Sequence, residues 1–173
     1  HFFEDSEMKV YKVKEVDTHG GSLRVYTTKN KNKRLHKSVN EYINIEKKNK
    51  LDSLETYKKF ASEVENVKKE SLNKIKDIIS DNKVVVGYGA PAKATTILNY
   101  FGLSEKEIEF TFDDNSLKHN KIIPGTNIKI LQPEDLIGLK KIDYIVVLAW
   151  NFYDQIKEKI QPLVPNVKFI KLK

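Results

Sequence analysis

Apolar and polar positions alternate along residues 8 to 28, MKVYKVKEVDTHGGSLRVYTT, on both sides of a His-Gly-Gly turn, which predicts two short strands. Two strands alone bury too little to be stable, so the pair is expected to pack on the rest of the chain or to belong with a neighbouring domain. The period then changes. Ser38 with Glu41 and Asp52 with Glu55 have capping-box spacing and predict helix starts near 39 and 53. In the second helix Leu54, Tyr57, Phe60, Ala61, Val64, Val67, Leu72, Ile75, Ile78 and Ile79 recur at three- and four-residue steps, a single apolar stripe opposed by Lys and Glu. At 1.5 Å per residue such a helix reaches roughly 35 to 40 Å, a spacer between domains or an ordinary core-facing helix.

From residue 83 onward short apolar runs alternate with helical segments. The predicted strands are Val84 to Gly87, Ile108 to Phe112, Ile128 to Leu131, Tyr144 to Ala149 and Val167 to Ile170. Helical patterns lie between them at Lys93 to Phe101, from Pro133, and at Phe152 to Leu163. Strands separated by helices imply a parallel sheet covered on both faces. The expected fold is therefore α/β: a Rossmann-like sheet of about five strands, order 3-2-1-4-5, preceded by a long helical linker and a short β segment. The expected divisions are 1-28 (β segment), 29-82 (linker) and 83-173 (Rossmann-like domain).

Candidate chemistry gathers at the carboxyl ends of these strands. Gly87-Tyr88-Gly89-Ala90-Pro91-Ala92 fits the looser G-x-G-x-x-G/A pattern between a strand and a helix. Gly87 would allow a tight turn, Gly89 a close ligand, and the amides of the following helix an anion. Lys93 stands in the first turn of that helix, where a cation opposes the macrodipole unless an anion sits between. Thr95 lies nearby, but Ala92 stands where a Walker A motif needs glycine. Asp113-Asp114-Asn115 follows the second strand, 26 positions after Gly87, where a dinucleotide fold places its ribose acid, and Trp150-Asn151 follows the fourth. Topology converges these clusters, making Gly87, Tyr88, Gly89, Ala90, Lys93, Thr95, Asp113, Asn115, Trp150 and Asn151 the candidate ligand-binding residues.

Composition narrows the partners. The 173 residues contain no cysteine, and the four histidines show no ligand spacing, so no metal is expected here. No apolar run approaches a bilayer span, and the amino end lacks signal-peptide order, which leads to a cytoplasmic protein with no membrane partner. The net charge of +7 is concentrated in residues 29 to 50, where eight Lys or Arg face Glu41 and Glu46. Few aromatics interleave there and no binding motif is present, so a solvated helical face or linker is expected in preference to nucleic acid.

Five segments in order, HGGSLRVY, LETYKKFASEV, VVGYGAPAKATTILNYFGL, FTFDDNSLKHNKIIPGTNIKI and VVLAWNFYDQI, resemble the carboxyl-terminal part of the sugar C-methyltransferases, over almost the whole chain from about residue 15. Those enzymes combine a zinc-binding domain, a central S-adenosylmethionine domain and a Rossmann-like carboxyl domain. This chain looks like the third with a short tail of the second. The resemblance implies removal of a proton beside the keto group of a nucleotide-diphosphate deoxysugar, followed by attack of the enolate on the methyl sulfonium. It also implies that the nucleotide sugar lies between the central and carboxyl domains. The family's zinc cysteines and cofactor glycine loop have no counterpart here. S-adenosylmethionine and zinc are thus implied for a full-length protein and not for this chain, which is expected to be inactive alone and to need the amino-terminal domains. Family members carry a Glu-His-Phe stretch with a catalytic histidine, and His1-Phe2 would be its remnant, which makes His1 a candidate catalytic residue. An NAD(P)-binding oxidoreductase domain, with Asp113 or Asp114 on the ribose, and a noncatalytic assembly module are the competing readings.

Overall fold

The computed structural model of the chain describes residues 2–139 and 141–172, and the candidate His1 lies outside them. The chain divides into two compact units, His1–Glu63 and Val64–Lys173. In the first, a short helix α1 (Phe2–Asp5) precedes strands β1 (Lys9–Val16) and β2 (Ser22–Thr28), which pair antiparallel in one hairpin. Gly20 and Gly21, both at positive φ, complete the expected turn between them. Helix α2 (Lys37–Lys48) follows. Its cap is His36, two residues before the expected Ser38: His36 Nδ1 accepts the Ser38 amide at 3.2 Å. The backbone amide of His36 is fixed to Tyr11 O, and the buried Ser38 hydroxyl accepts the Val13 amide, so Ser38 is spent on the hairpin.

Helix α3 (Leu54–Ser80) carries the predicted stripe, but the two halves of the stripe differ. Leu54, Tyr57 and Phe60 are exposed, whereas Ile75 and Ile78 are buried with Val67, Leu72 and Ile79 packed beside them.

The second unit is built on strands β3 (Val85–Tyr88), β4 (Phe110–Phe112), β5 (Lys129–Leu131), β6 (Tyr144–Val147) and β7 (Lys168–Lys171). All neighbours are parallel and the order is β5-β4-β3-β6-β7, the expected 3-2-1-4-5. Side chains of successive strand residues leave on opposite faces, and each face has its own core. On one face Val85, Val146, Leu148 and Ile170 pack with α3 and with Ala94, Leu98 and Phe101 of α4 (Ala92–Phe101). On the other Val86, Tyr88, Phe112, Ile145 and Val147 pack with Leu136 of α5 (Asp135–Gly138) and with Ile156 and Ile160 of α6 (Tyr153–Ile160). Each fully buried aliphatic side chain contributes about 1.5–3 kcal/mol, which explains why these strands read as continuous β-branched runs. Among the described residues no helix is long and apolar enough to cross a membrane.

Candidate functional site

The reversal of strand order falls between β3 and β6, and the chain opens there at the carboxyl ends of β3, β4 and β6. A pocket of about 230 Å³ lies at this edge, lined by Tyr88, Gly89, Pro91, Asp113, Asp114, Lys118, Ala149, Phe152 and Ile156. It brings together three of the candidate ligand-binding residues, Tyr88, Gly89 and Asp113, with Asp114, the alternative ribose acid. Ala90, Lys93 and Trp150 stand beside the same strand ends without lining it.

Gly87 sits inside β3, one residue short of the turn, and its missing Cβ serves packing: a Cβ there would come within 2.6 Å of Thr111 Oγ1. The Thr111 hydroxyl fills that space and donates to Gly89 O at 3.1 Å. Gly89 has φ +92°, and a Cβ there would lie 2.6 Å from Ala149 Cβ. The turn is thus closed against β4 and against the segment after β6.

Both turn amides have protein acceptors. The Gly89 N–H donates to Phe112 O at 2.6 Å, and the Ala90 N–H donates to Asp113 Oδ2 at 2.6 Å. Asp113 also takes the Asn115 amide at 2.9 Å and the Lys118 ammonium at 2.9 Å. Burial pushes its carboxyl up, but Lys118 and the Asn115 and Ala90 amides outweigh burial and hold it below the usual carboxylate range. His119 Nε2 donates to Asp113 O at 2.7 Å. Asp113 therefore stands where the glycine pattern anticipates a ligand anion, tying the turn after β3 to the turn after β4. Asn115 serves the same turn, its side chain accepting the Leu117 amide.

A second charged pair, not anticipated from the sequence, joins the lining Asp114 to Lys159 of α6. Tyr88, 1% exposed, donates its hydroxyl to Asp114 Oδ1 at 2.9 Å and accepts from Lys159 Nζ at 3.2 Å. Lys159 reaches Asp114 at 2.5 Å. Burial, with the Asp114 carboxylate beside it, pushes the Tyr88 phenol up to about 12 against the opposing pull of Lys159. Bonding to Asp114 raises Lys159, so the ammonium stays charged.

Lys93 Nζ stands 4.3 Å from the centroid of the Trp150 ring, in a cation–π contact between α4 and the 3-10 turn Trp150–Phe152. The Ala94 amide bonds to Pro91 O, while the Ala92 and Lys93 amides have no acceptor among the described residues. Thr95 is half-buried on α4, with its carbonyl accepting from Asn99, and Asn151 is exposed. The pattern-based reading missed Lys118, Lys159 and Phe152. Lys118 carried a local signal, since it lies five residues after Asp113, whereas Lys159 comes from a helix 45 positions after Asp114.

Residues 17–171 match the family model of the C-methyltransferase C-terminal domain. The chain belongs to this family. It is 33% identical over 165 residues to the C-methyltransferase NovU of Streptomyces niveus, an alignment covering 95% of this chain and 39% of that protein. Thus the chain spans about two fifths of the length of the relative it matches. As a C-methyltransferase C-terminal domain, its residues do not fit zinc: it has no cysteine, and among the described residues no three His, Asp or Glu cluster to hold a metal. The Ala90 amide, where the glycine pattern anticipates a dinucleotide's pyrophosphate, already holds a carboxylate.

Proposed function

We propose that this C-methyltransferase C-terminal domain binds a nucleotide-diphosphate keto-deoxysugar at the carboxyl edge of its five-stranded sheet, within an S-adenosylmethionine-dependent enzyme. The observation that carries the reading is the pocket at the strand-order reversal, flanked by the open amides of α4 and by Lys93. Amides and a cation at a helix start suit a diphosphate. The domain's share in catalysis is to hold the substrate remotely and so orient the reacting carbon, while the methyl donor and zinc belong to partner domains supplied outside these residues.

Titration of the full-length enzyme with a thymidine diphosphate sugar tests this, with the present chain run beside it. Binding by the enzyme is expected, and its absence overturns the proposal. Lys93→Ala should weaken binding about ten- to a hundredfold through loss of one charge-assisted contact worth roughly 1.5–3 kcal/mol. The thermal midpoint should change little, since the Trp150 contact at an exposed site is worth only about 0.5–1 kcal/mol. Unchanged affinity with a lowered midpoint would assign Lys93 to Trp150 alone. Saturable binding of NAD or NADP with indifference to the nucleotide sugar would favour an oxidoreductase domain.

A further inference from the structure

The pocket is rich in charge and yet close to neutral. Asp113 is matched by Lys118 at 2.9 Å and Asp114 by Lys159 at 2.5 Å. Asp113 is buried, and its Oδ2 occupies the Ala90 amide. A diphosphate entering here would meet two carboxylates and a single lining ammonium, Lys118, already engaged by Asp113, so it would gain little attraction against the cost of desolvation. The uncharged walls are Tyr88, Gly89, Pro91, Ala149, Ile156 and Phe152, the last 59% exposed. At about 230 Å³ the space suits a single ring.

Building on the nucleotide-sugar reading, we infer that this pocket takes an uncharged ring of the ligand, with polar edges and an apolar face, and that the diphosphate stays outside it. Phe152 packs on the face of the ring. Asp114 and Lys118 line the pocket and present an acceptor and a donor to the edge of the ring, while Lys159 and the Tyr88 hydroxyl hold the Asp114 carboxylate in place. The nucleobase and the deoxysugar share this chemistry, and separate probes distinguish them.

The test uses the present chain with four probes: a thymidine diphosphate sugar, thymidine, the methyl glycoside of the deoxysugar, and inorganic pyrophosphate. The nucleotide sugar should bind, and one of the two ring probes should displace it; thymidine doing so assigns the base, the glycoside the sugar. Phe152→Ala should weaken that ring probe about tenfold and Phe152→Tyr should restore it, while pyrophosphate affinity is the same in all three proteins. Because Phe152 is exposed, the alanine variant should fold, which its thermal midpoint checks. Nucleotide-sugar binding that is indifferent to Phe152→Ala, or that neither ring probe displaces, overturns the inference and leaves the nucleotide-sugar reading standing. So does loss of pyrophosphate binding in Lys118→Met or Lys159→Met, which would place the diphosphate in the pocket. If the full-length enzyme also fails to bind the nucleotide sugar, both fall together.

Discussion

Asp113→Ala should lower the stability of the Val64–Lys173 unit by about 3 kcal/mol, a fall in thermal midpoint of roughly 10 to 20 °C. One carboxylate accepts from Ala90, Asn115 and Lys118, so its removal leaves two amides and an ammonium without their acceptor. Each such loss costs about 1–3 kcal/mol where the donor cannot turn to water. Asp113→Asn keeps the shape and part of the bonding and should lose less. The pH dependence carries the sign of a lowered carboxyl. In the folded chain Asp113 titrates below its ordinary value, so its stabilisation is complete above the unfolded value near ~4 and is lost as pH falls through the lower folded value. Denaturant midpoints measured from neutral to strongly acid pH should therefore show an acid-side decline in the parent that is reduced in Asp113→Asn. Equal stabilities of the parent and Asp113→Ala at neutral pH would show that the carboxylate is not what joins the two turns.

The same residue shows where the sequence is informative and where it is not. Strand order and layering were legible because burial on both faces leaves continuous β-branched runs, and the alternation of strands with helices restricts the topology to few choices. The position of the site followed from that topology, since parallel sheets open at their carboxyl edge. Internal bookkeeping at the site was not legible. Whether the Ala90 amide meets a ligand or Asp113 depends on how closely the turns after β3 and β4 approach one another, and spacing along a chain does not encode that. The Asp114–Lys159 pair depends on the pitch and position of α6, and periodicity gives Lys159 only a polar face. The exposed amino-terminal half of the α3 stripe has the same cause: period assigns a face to a helix and does not say what, if anything, covers it.

Gly89→Val is expected to unfold or severely destabilise the Val64–Lys173 unit, and Gly89→Ala to cost about 3 kcal/mol or more, even without ligand. The pattern-based role for Gly89 is open space for a ligand, which would make both variants stable and defective in binding. The geometry gives a different outcome. At φ +92° any side chain is strained, and its Cβ would stand 2.6 Å from Ala149 Cβ and 3.0 Å from Ala149 N. Neither side can yield easily: Gly89 is held by Phe112 O and Thr111 Oγ1, while the segment entering Ala149 is held through the Leu148 amide on Tyr88 O at 2.8 Å. Two other glycines separate strain from collision. Gly102 has φ +72° with nothing within 4 Å of a built Cβ, so Gly102→Ala should cost only the backbone term, about 1 kcal/mol. Gly138 has open space and no positive φ, so Gly138→Ala should be close to neutral. Thermal midpoints should fall in the order Gly138→Ala, Gly102→Ala, Gly89→Ala, Gly89→Val. A stable Gly89→Ala that has lost only nucleotide-sugar affinity would show that the turn yields and that its glycine is kept for the ligand.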